Sequence, residues 1–276
     1  MTRVPTVTLA NGVAMPALGF GTWPMDDLEA ETAVAVALRA GYRLIDTAEN
    51  YENESGVGRG IRSSGIDRDE VFVTTKFNKR WHGEAEVHRA FSNSVERLDV
   101  ERIDLLLIHW PNPQQDRFVD AWRGLLQLLD EGKVRAIGAS NFKPGHLDRL
   151  LDETGVAPHV NQIHLDPRHS RAEERIYDAE HGIVTESWSP IGGGDDLLAE
   201  PTIVELARRH SRTPAQVVLR WHVQLGLVPI PKTSRPSRMA ENIDVFDFVL
   251  AEEDMRAIEE LEGSGDDVVD SDRYGH

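Results

Sequence analysis

"IDLLLIHWPNPQQDRFVDAWRGLLQLLDEGKVRAIGAS", residues 103–140, changes its period twice. The run 103–110 is almost wholly apolar, as a strand covered on both faces has to be. Residues 118–132 have the amphipathic period of a helix and end in a glycine, the residue that helix C-caps favour. Residues 134–140 return to a short apolar run. Strand, helix, strand implies two parallel strands joined by a crossover.

The same unit recurs on both sides. Short apolar runs fall at 17–20, 43–47, 71–76, 103–110, 134–140, 159–164, 183–188 and 227–232, and amphipathic stretches lie between them, among them 28–41, 85–98, 118–132 and 144–155. Eight such units predict an α/β fold, a (β/α)8 TIM barrel, which takes about 250 residues. An open doubly wound sheet is the alternative. No Ser/Gly/Pro-rich linker interrupts the alternation, so residues 1–276 read as one domain. Asn11-Gly12 between "VTL" and "VAMPALGF" predicts an N-terminal β-hairpin. The segments 213–224 and 251–263 read as extra peripheral helices, and the acidic tail "GDDVVDSDRYGH" as loosely held.

Composition removes several function classes. The balance of 40% hydrophobic and 28% charged residues is that of a folded globular chain. The 47 acidic against 30 basic residues give a net charge of −17, which repels nucleic acid and anionic membranes. There is no cysteine, so disulfides, Cys-ligated zinc and thiol nucleophiles are excluded. The N-terminus carries no apolar stretch of signal-peptide length and no run of 18 apolar residues occurs, so a cytoplasmic protein is expected.

In a barrel the active site lies at the carboxyl ends of the strands. Asp46, Lys76, His109, Ser140 with Asn141, Gln162, Trp188 and Lys232 all fall at those ends. A lysine ending an apolar strand needs a carboxylate partner, and Asp46 supplies one. An ammonium beside Tyr51 would lower the phenol from about 10 and make it a general acid, while a neutral His109 orients a carbonyl oxygen. A satisfied ion pair flanked by two buried amphipathic side chains accounts for the same residues. Trp23, Phe77, Trp81, Trp110 and Trp188 follow or end strands and could wall an apolar pocket, although most tryptophans are core.

"PKTSRPSRMAEN", 231–242, gathers Lys232, Arg235 and Arg238 with Thr233 and Ser234 just before a helix N-terminus. That reads as an anion site, or else as a surface cluster facing water. "GVGRG", 56–60, is not a dinucleotide loop, since no strand immediately precedes it; it reads as a helix interior or turn. "HLDPRH", 164–169, offers His164, Asp166 and His169, but Pro167 interrupts any regular face, so no metal site is expected.

Taken together, "GYRLIDTAENYENESGVG" (41–58), "LLQLLDEGKVRAIGASNF" (125–142) and "IPKTSRPSRMAEN" (230–242) resemble the three ordered signatures of the aldo-keto reductases. Judged also by "NQI" (161–163), "ESWSPIG" (186–192), "TPAQVVLRWH" (213–222) and "ENIDVFDF" (241–248), the chain is most similar to the bacterial 2,5-diketo-gluconate reductase group. The resemblance implies a catalytic tetrad of Asp46, Tyr51, Lys76 and His109, and NADPH as cofactor. It implies that Ser140, Asn141 and Gln162 hold the carboxamide, that Trp188 stacks on the nicotinamide, and that Gly21, Thr22, Ser189, Pro190, Ile191, Gly192 and Gly193 line the cofactor. Lys232, Thr233, Ser234 and Arg238 would take the 2′-phosphate, with Glu241 and Asn242 near the adenine. Trp23, Phe77, Trp81, His109 and Trp110 are the expected substrate contacts.

The expected activity is reduction of a small-molecule aldehyde or ketone by a monomer, with no metal, nucleic acid or membrane involved. Two alternatives are a cofactor-binding regulatory or structural barrel with little turnover, and a metal-dependent hydrolase using His109 and His164. Where relatives of this kind read Asn-Gln-Ile-Glu-Leu-His-Pro, this chain has "NQIHLDP" (161–167), so the hydrogen bonds there should differ. The short segment after Leu261 implies a wide mouth and loose specificity.

Overall fold

The hairpin at Asn11-Gly12 is present. In the computed structural model, which describes residues 4–194, 196–265 and 268–276, β1 (Thr6–Thr8) pairs antiparallel with β2 (Ala14–Pro16). Gly12 turns the chain at φ +83, a left-handed value that a side chain resists.

The barrel strands follow as β3 (Phe20–Gly21), β4 (Leu44–Asp46), β5 (Phe72–Phe77), β6 (Ile103–Ile108), β7 (Val134–Ser140), β8 (Val160–His164), β9 (Val184–Trp188) and β10 (Val228–Ile230). Each pairs parallel with the next. The ring closes where Gly19 N donates to Pro229 O at 3.0 Å and Gly21 N to Pro231 O at 3.1 Å, which rules out the open sheet. Glycine is required at that seam. A Cβ on Gly19 would sit 2.5 Å from Ile230 Cδ1 and 2.8 Å from Leu44 Cγ.

Around the strands lie α1 (Asp27–Ala40), α2 (Glu54–Ser64), α3 (Glu84–Leu98), α4 (Phe118–Asp130), α5 (Pro144–Thr154), α6 (Ala172–Glu180), α7 (Pro201–His210), α8 (Pro214–Gln224), α9 (Pro236–Ile243) and α10 (Glu252–Glu259). Local chemistry sets their ends. Asp26 caps α1 by accepting from Glu29 N, and Gly41 stops it in a left-handed turn. Thr213 and Gln216 form a reciprocal capping box on α8, with Pro214 in its first turn. The "GVGRG" stretch is interior to α2. Its glycines permit close helix packing, since a Cβ on Gly56 would meet Asp27 O at 1.8 Å and one on Gly58 would meet Leu98 O at 1.9 Å.

Strand alternation sends the strands' apolar side chains to two faces, inside the barrel and outside it. Leu44, Phe72, Leu105, Leu107, Ala136, Val160, Val228 and Ile230 cluster together with Leu9 and Met15 of the hairpin. The hairpin therefore plugs the end of the barrel away from the carboxyl rim. Ile45, Val73, Leu106, Ile108, Ile137 and Ala139 join instead the layer shared with Val34, Val57, Val87 and Leu125 of the helices. Each fully buried Val, Leu or Ile among them contributes roughly 1.5–3 kcal/mol. That leaves the rim as the place where polar groups can collect. No helix among the described residues is long and apolar enough to cross a membrane.

The C-terminal tail differs from expectation. Residues 268–276 fold back over the rim, where Lys143 Nζ meets Asp270 Oδ1 at 2.6 Å and Asp272 Oδ2 at 2.5 Å. Lys79 Nζ donates to Gly275 O at 2.9 Å, and the Tyr274 ring packs on Trp110 with centroids 5.0 Å apart. The tail's acidity finds cations here, so it is neither loose nor clear of the mouth. Asp266 and Asp267 of that stretch lie outside the described residues.

Candidate active site

Asp46 is the last residue of β4, and the loop after it folds so as to bring Tyr51 back to the strand end. Asn53, fully buried, is the anchor. Its Oδ1 accepts from Thr47 Oγ1 at 2.7 Å, and its Nδ2 donates to Thr22 O at 3.2 Å and Met25 O at 2.9 Å. Between these ties, Glu49–Tyr51 makes a single tight turn before Glu54 opens α2. Glu54 is held in turn by Thr75 Oγ1 and Arg97 Nε, each at 2.6 Å. A loop with every end tied cannot drift.

Lys76 points into the barrel from β5 with 0% exposure. Its Nζ donates to Asp46 Oδ1 at 2.7 Å and Thr47 O at 3.0 Å, and lies 3.4 Å from the Tyr51 hydroxyl. Burial pulls the ammonium down, but Asp46, Tyr51 and Glu186 outweigh it, so Lys76 titrates above its usual value and stays charged. The phenol moves the other way from expectation. Burial raises Tyr51, Lys76 lowers it, Asp46 raises it again, and the net is upward. Lys76 therefore tempers the rise rather than bringing Tyr51 below its ordinary range, and the hydroxyl keeps its proton at neutral pH.

His109 follows β6, its ring edge-on to that of Tyr51 with centroids 5.9 Å apart. Burial first, then Lys76 and His276, hold it well below the usual imidazole value, so it is neutral. Its Nδ1 is buried and has no hydrogen-bond partner among the described residues. The four residues that the sequence placed at the rim are thus brought together.

The next strands carry amides. Ser140 Oγ donates to Gln162 O at 2.9 Å, and Asn141 Nδ2 donates to His109 O at 3.1 Å and Ser140 Oγ at 3.0 Å. Trp188 Nε1 donates to Asn141 Oδ1 at 2.9 Å. One face of Trp188 is covered by His164, with centroids 4.4 Å apart and planes 19° apart. Gln162 is turned inward, its Nε2 donating to Asp46 Oδ2 at 2.8 Å and Glu186 Oε2 at 3.0 Å. Its side-chain amide oxygen makes no hydrogen bond among the described residues.

Glu186 was not foreseen as a site residue. It is fully buried, and burial, then Asp46, push its carboxyl well above the usual glutamate range against the pull of Gln162 and Lys76. After β9 comes the loop Ser189, Pro190, Ile191, Gly192 and Gly193, in which both glycines have positive φ. His222, also unforeseen, pins it by pairing its Nε2 with Pro190 O at 2.9 Å and its Nδ1 with Ser187 Oγ at 3.1 Å.

Lys232 is half-buried beyond β10, while Ser234, Arg235 and Arg238 are exposed at the start of α9. None of the three cations makes a salt bridge among the described residues. In a chain of net charge −17 that is a conspicuous gap. Thr233 Oγ1 accepts from Arg235 N at 3.2 Å, Glu241 accepts from Thr213 Oγ1 at 2.7 Å, and Asn242 is buried. Gly21 and Thr22 stand at the seam, and Thr22 Oγ1 donates to Asp46 O at 3.0 Å.

The aromatic residues divide. Phe77 does not line a cavity. It follows inward-pointing Lys76 on the same strand, so it points out into the helix layer, edge-on to His82 with centroids 6.2 Å apart. Trp81 is partly buried, its Nε1 donating to the Glu49 carboxylate at 2.9 Å. Trp23 is 61% exposed on the loop after β3. Trp110 is nearly buried under Tyr274 and His276, and His276 also sits 4.8 Å from His109. Nothing local in the sequence marks those two tail residues as neighbours of the rim.

His109 and His164 do not form a metal centre. Among the described residues His109 belongs to no group of potential ligands, whereas His164, Asp166 and His169 do come together. The hydrolase alternative lacks its site.

The fold and this rim define a (β/α)8-barrel oxidoreductase. The aldo/keto reductase family model matches residues 17–262, and the chain belongs to that family, whose members are NADP(H)-linked. It is 48% identical over 262 residues to the 2,5-diketo-D-gluconic acid reductase B of Corynebacterium sp. (strain SHS752001), covering 95% of each chain. It is 42% identical over 277 residues to the methylglyoxal reductase DkgA of Escherichia coli (strain K12), covering both chains fully. Among solved structures, a substituted form of Gox0644 in complex with NADPH superposes with a TM-score of 0.94 at 42% identity, covering 99% of each chain. The aldo/keto reductase of Brucella melitensis superposes with a TM-score of 0.92 at 45% identity, covering 95% of this chain and 99% of that one.

Proposed function

We propose that this protein reduces small aldehydes and ketones to alcohols with NADPH, and that Tyr51 is the proton donor. The observation that carries the reading is the 3.4 Å approach of the Tyr51 hydroxyl to a fully buried, Asp46-paired lysine. A purely structural ion pair would not need a phenol whose loop is tied at Thr47, Asn53 and Glu54.

The residues present suit the cofactor. Among the described residues the side-chain amide oxygen of Gln162 makes no hydrogen bond, Trp188 has one face not covered by His164, and Lys232, Arg235 and Arg238 lack carboxylate partners. The first two features would hold a carboxamide and a flat ring, and the cations a 2′-phosphate. When bound, NADPH supplies the hydride.

The chain's own groups do the rest. Neutral His109 donates a hydrogen bond that holds the carbonyl oxygen towards Tyr51, and Tyr51 passes its proton to that oxygen as negative charge develops on it. The remaining phenolate is stabilised by Lys76, whose charge is fixed by Asp46. Asp46 is held by Gln162, and Gln162 by Glu186. Substrates are expected among keto-sugar acids and dicarbonyls, as the names of the two relatives suggest. The tail, with Tyr274 and His276 on Trp110, narrows the mouth that its shortness had implied to be wide.

Tyr51→Phe tests this directly. NADPH oxidation with methylglyoxal should fall by about a hundredfold or more, the contribution usual for a positioned acid, while NADPH affinity stays within about twofold. Unchanged turnover would remove Tyr51 from the chemistry.

A further inference from the structure

We propose that His164, Asp166 and His169 form a binding site for a divalent transition-metal ion of the zinc type, beside Trp188 and separate from the tetrad. The sequence argued against such a site because Pro167 breaks any regular face. The structure shows that the same proline helps to assemble it. Asp166 to His169 makes a tight turn in which His169 N donates to Asp166 O at 2.9 Å, and the fixed φ of proline suits its second position. The turn folds His169 back onto the carboxylate three residues earlier.

The ligand atoms are close to where an ion needs them. Asp166 Oδ2 lies 3.4 Å from His164 Nε2 and 3.1 Å from His169 Nδ1, and all candidate ligand atoms lie within 4.8 Å of one another. Tetrahedral zinc, with bonds of about 2.0–2.1 Å, places its ligand atoms about 3.3 Å apart, so at most the two imidazoles have to draw together. Two imidazole nitrogens and one carboxylate favour zinc, nickel or copper over magnesium or calcium. Asp166 is buried, while the side chains of His164 and His169 keep 19% and 12% of their exposure, which gives an ion a way in.

The site is also held. Arg168 N donates to Asp166 Oδ1 at 2.8 Å, Gly263 N to Arg168 O at 2.9 Å, and Ser170 N to Glu262 Oε2 at 2.6 Å. Gly265 packs so tightly on His169 that a Cβ there would meet its Cε1 at 2.4 Å. The neighbouring guanidinium has carboxylates of its own, because Arg168 Nη2 reaches Asp196 at 2.8 Å and Glu200 at 2.5 Å. A divalent ion would bring a full counter-charge to this buried carboxylate. Because His164 stacks on Trp188, occupation of the site would fix the ring that backs that indole.

The test is titration of the purified full chain, stripped with chelator, with zinc chloride by calorimetry, alongside the double variant His164→Ala/His169→Ala. The expected result is one zinc ion bound per chain, with affinity reduced by more than about tenfold in the double variant and unaffected by excess magnesium. Zinc should raise the melting temperature of the parent protein and not that of the variant. No binding to the parent, or equal binding by the variant, would overturn the proposal. The latter outcome would place the ion on other histidines. Circular dichroism of the variant confirms that a lost signal is not lost folding.

Discussion

Lys76 and Arg238 are cations in opposite settings. Lys76 is sealed inside the barrel, its charge met by Asp46 and Thr47 and steadied through Gln162 by Glu186. Arg238 stands exposed at the first turn of α9 with no carboxylate partner among the described residues. Desolvation explains the difference. A buried charge has to carry its partners with it, and those partners then fix its position to within a hydrogen bond. An exposed charge is satisfied by water and can wait for an anion from outside. The lysine region is therefore built for chemistry and the arginine region for capture.

The largest effect should come from breaking the buried pair. Lys76→Met leaves the Asp46 carboxylate inside with only Gln162 to hold it, so a loss of roughly 3–5 kcal/mol in urea unfolding is expected. A loss below about 1 kcal/mol would mean that water reaches Asp46 and the contrast with Arg238 fails. The exposed end should behave in the reverse way. Arg238→Ala should leave stability within about 0.5 kcal/mol of the parent, yet weaken NADPH by about tenfold, the worth of one charge-assisted hydrogen bond. NADH binding should be untouched. Equal weakening of both nucleotides, measured by fluorescence titration, would remove the 2′-phosphate from this site.

The same contrast shows what a sequence can disclose. All eight strands were legible, as was the placement of Asp46, Lys76 and His109 at their ends, because period and strand termini are written in neighbouring residues. Tyr51 could be added because its loop is short. Phe77 was misread although the signal was present: it directly follows Lys76 on one strand, and successive side chains take opposite faces. The upward shift of Tyr51 was not legible, since how deeply a phenol is buried depends on distant elements. The same holds for Glu186 under Gln162, for the turn that gathers His164, Asp166 and His169, and for the tail laid across Trp110. Each is a contact between residues far apart in the chain, or a turn whose closure only the surrounding packing decides.

Lys143 supplies the intermediate case, an ammonium 35% exposed and paired with Asp270 and Asp272, which are 43% and 48% exposed. Water competes for all three groups, so Lys143→Ala should cost only about 0.2–1 kcal/mol, a shift in melting temperature of no more than about 4 °C. Global stability is then the wrong place to look for its role. Hydrogen exchange at residues 268–276 is the sensitive measure, and it should quicken in the variant and in high salt alike. If protection of the tail persists in both, the ion pairs are incidental, and the hold comes from contacts that salt does not screen, Tyr274 and His276 against Trp110 and the backbone hydrogen bond from Lys79 N to His276 O. The two outcomes assign the tail to different physics: an electrostatic strap that loosens with ionic strength, or one of ring packing and backbone hydrogen bonding that keeps the mouth narrow whatever the salt.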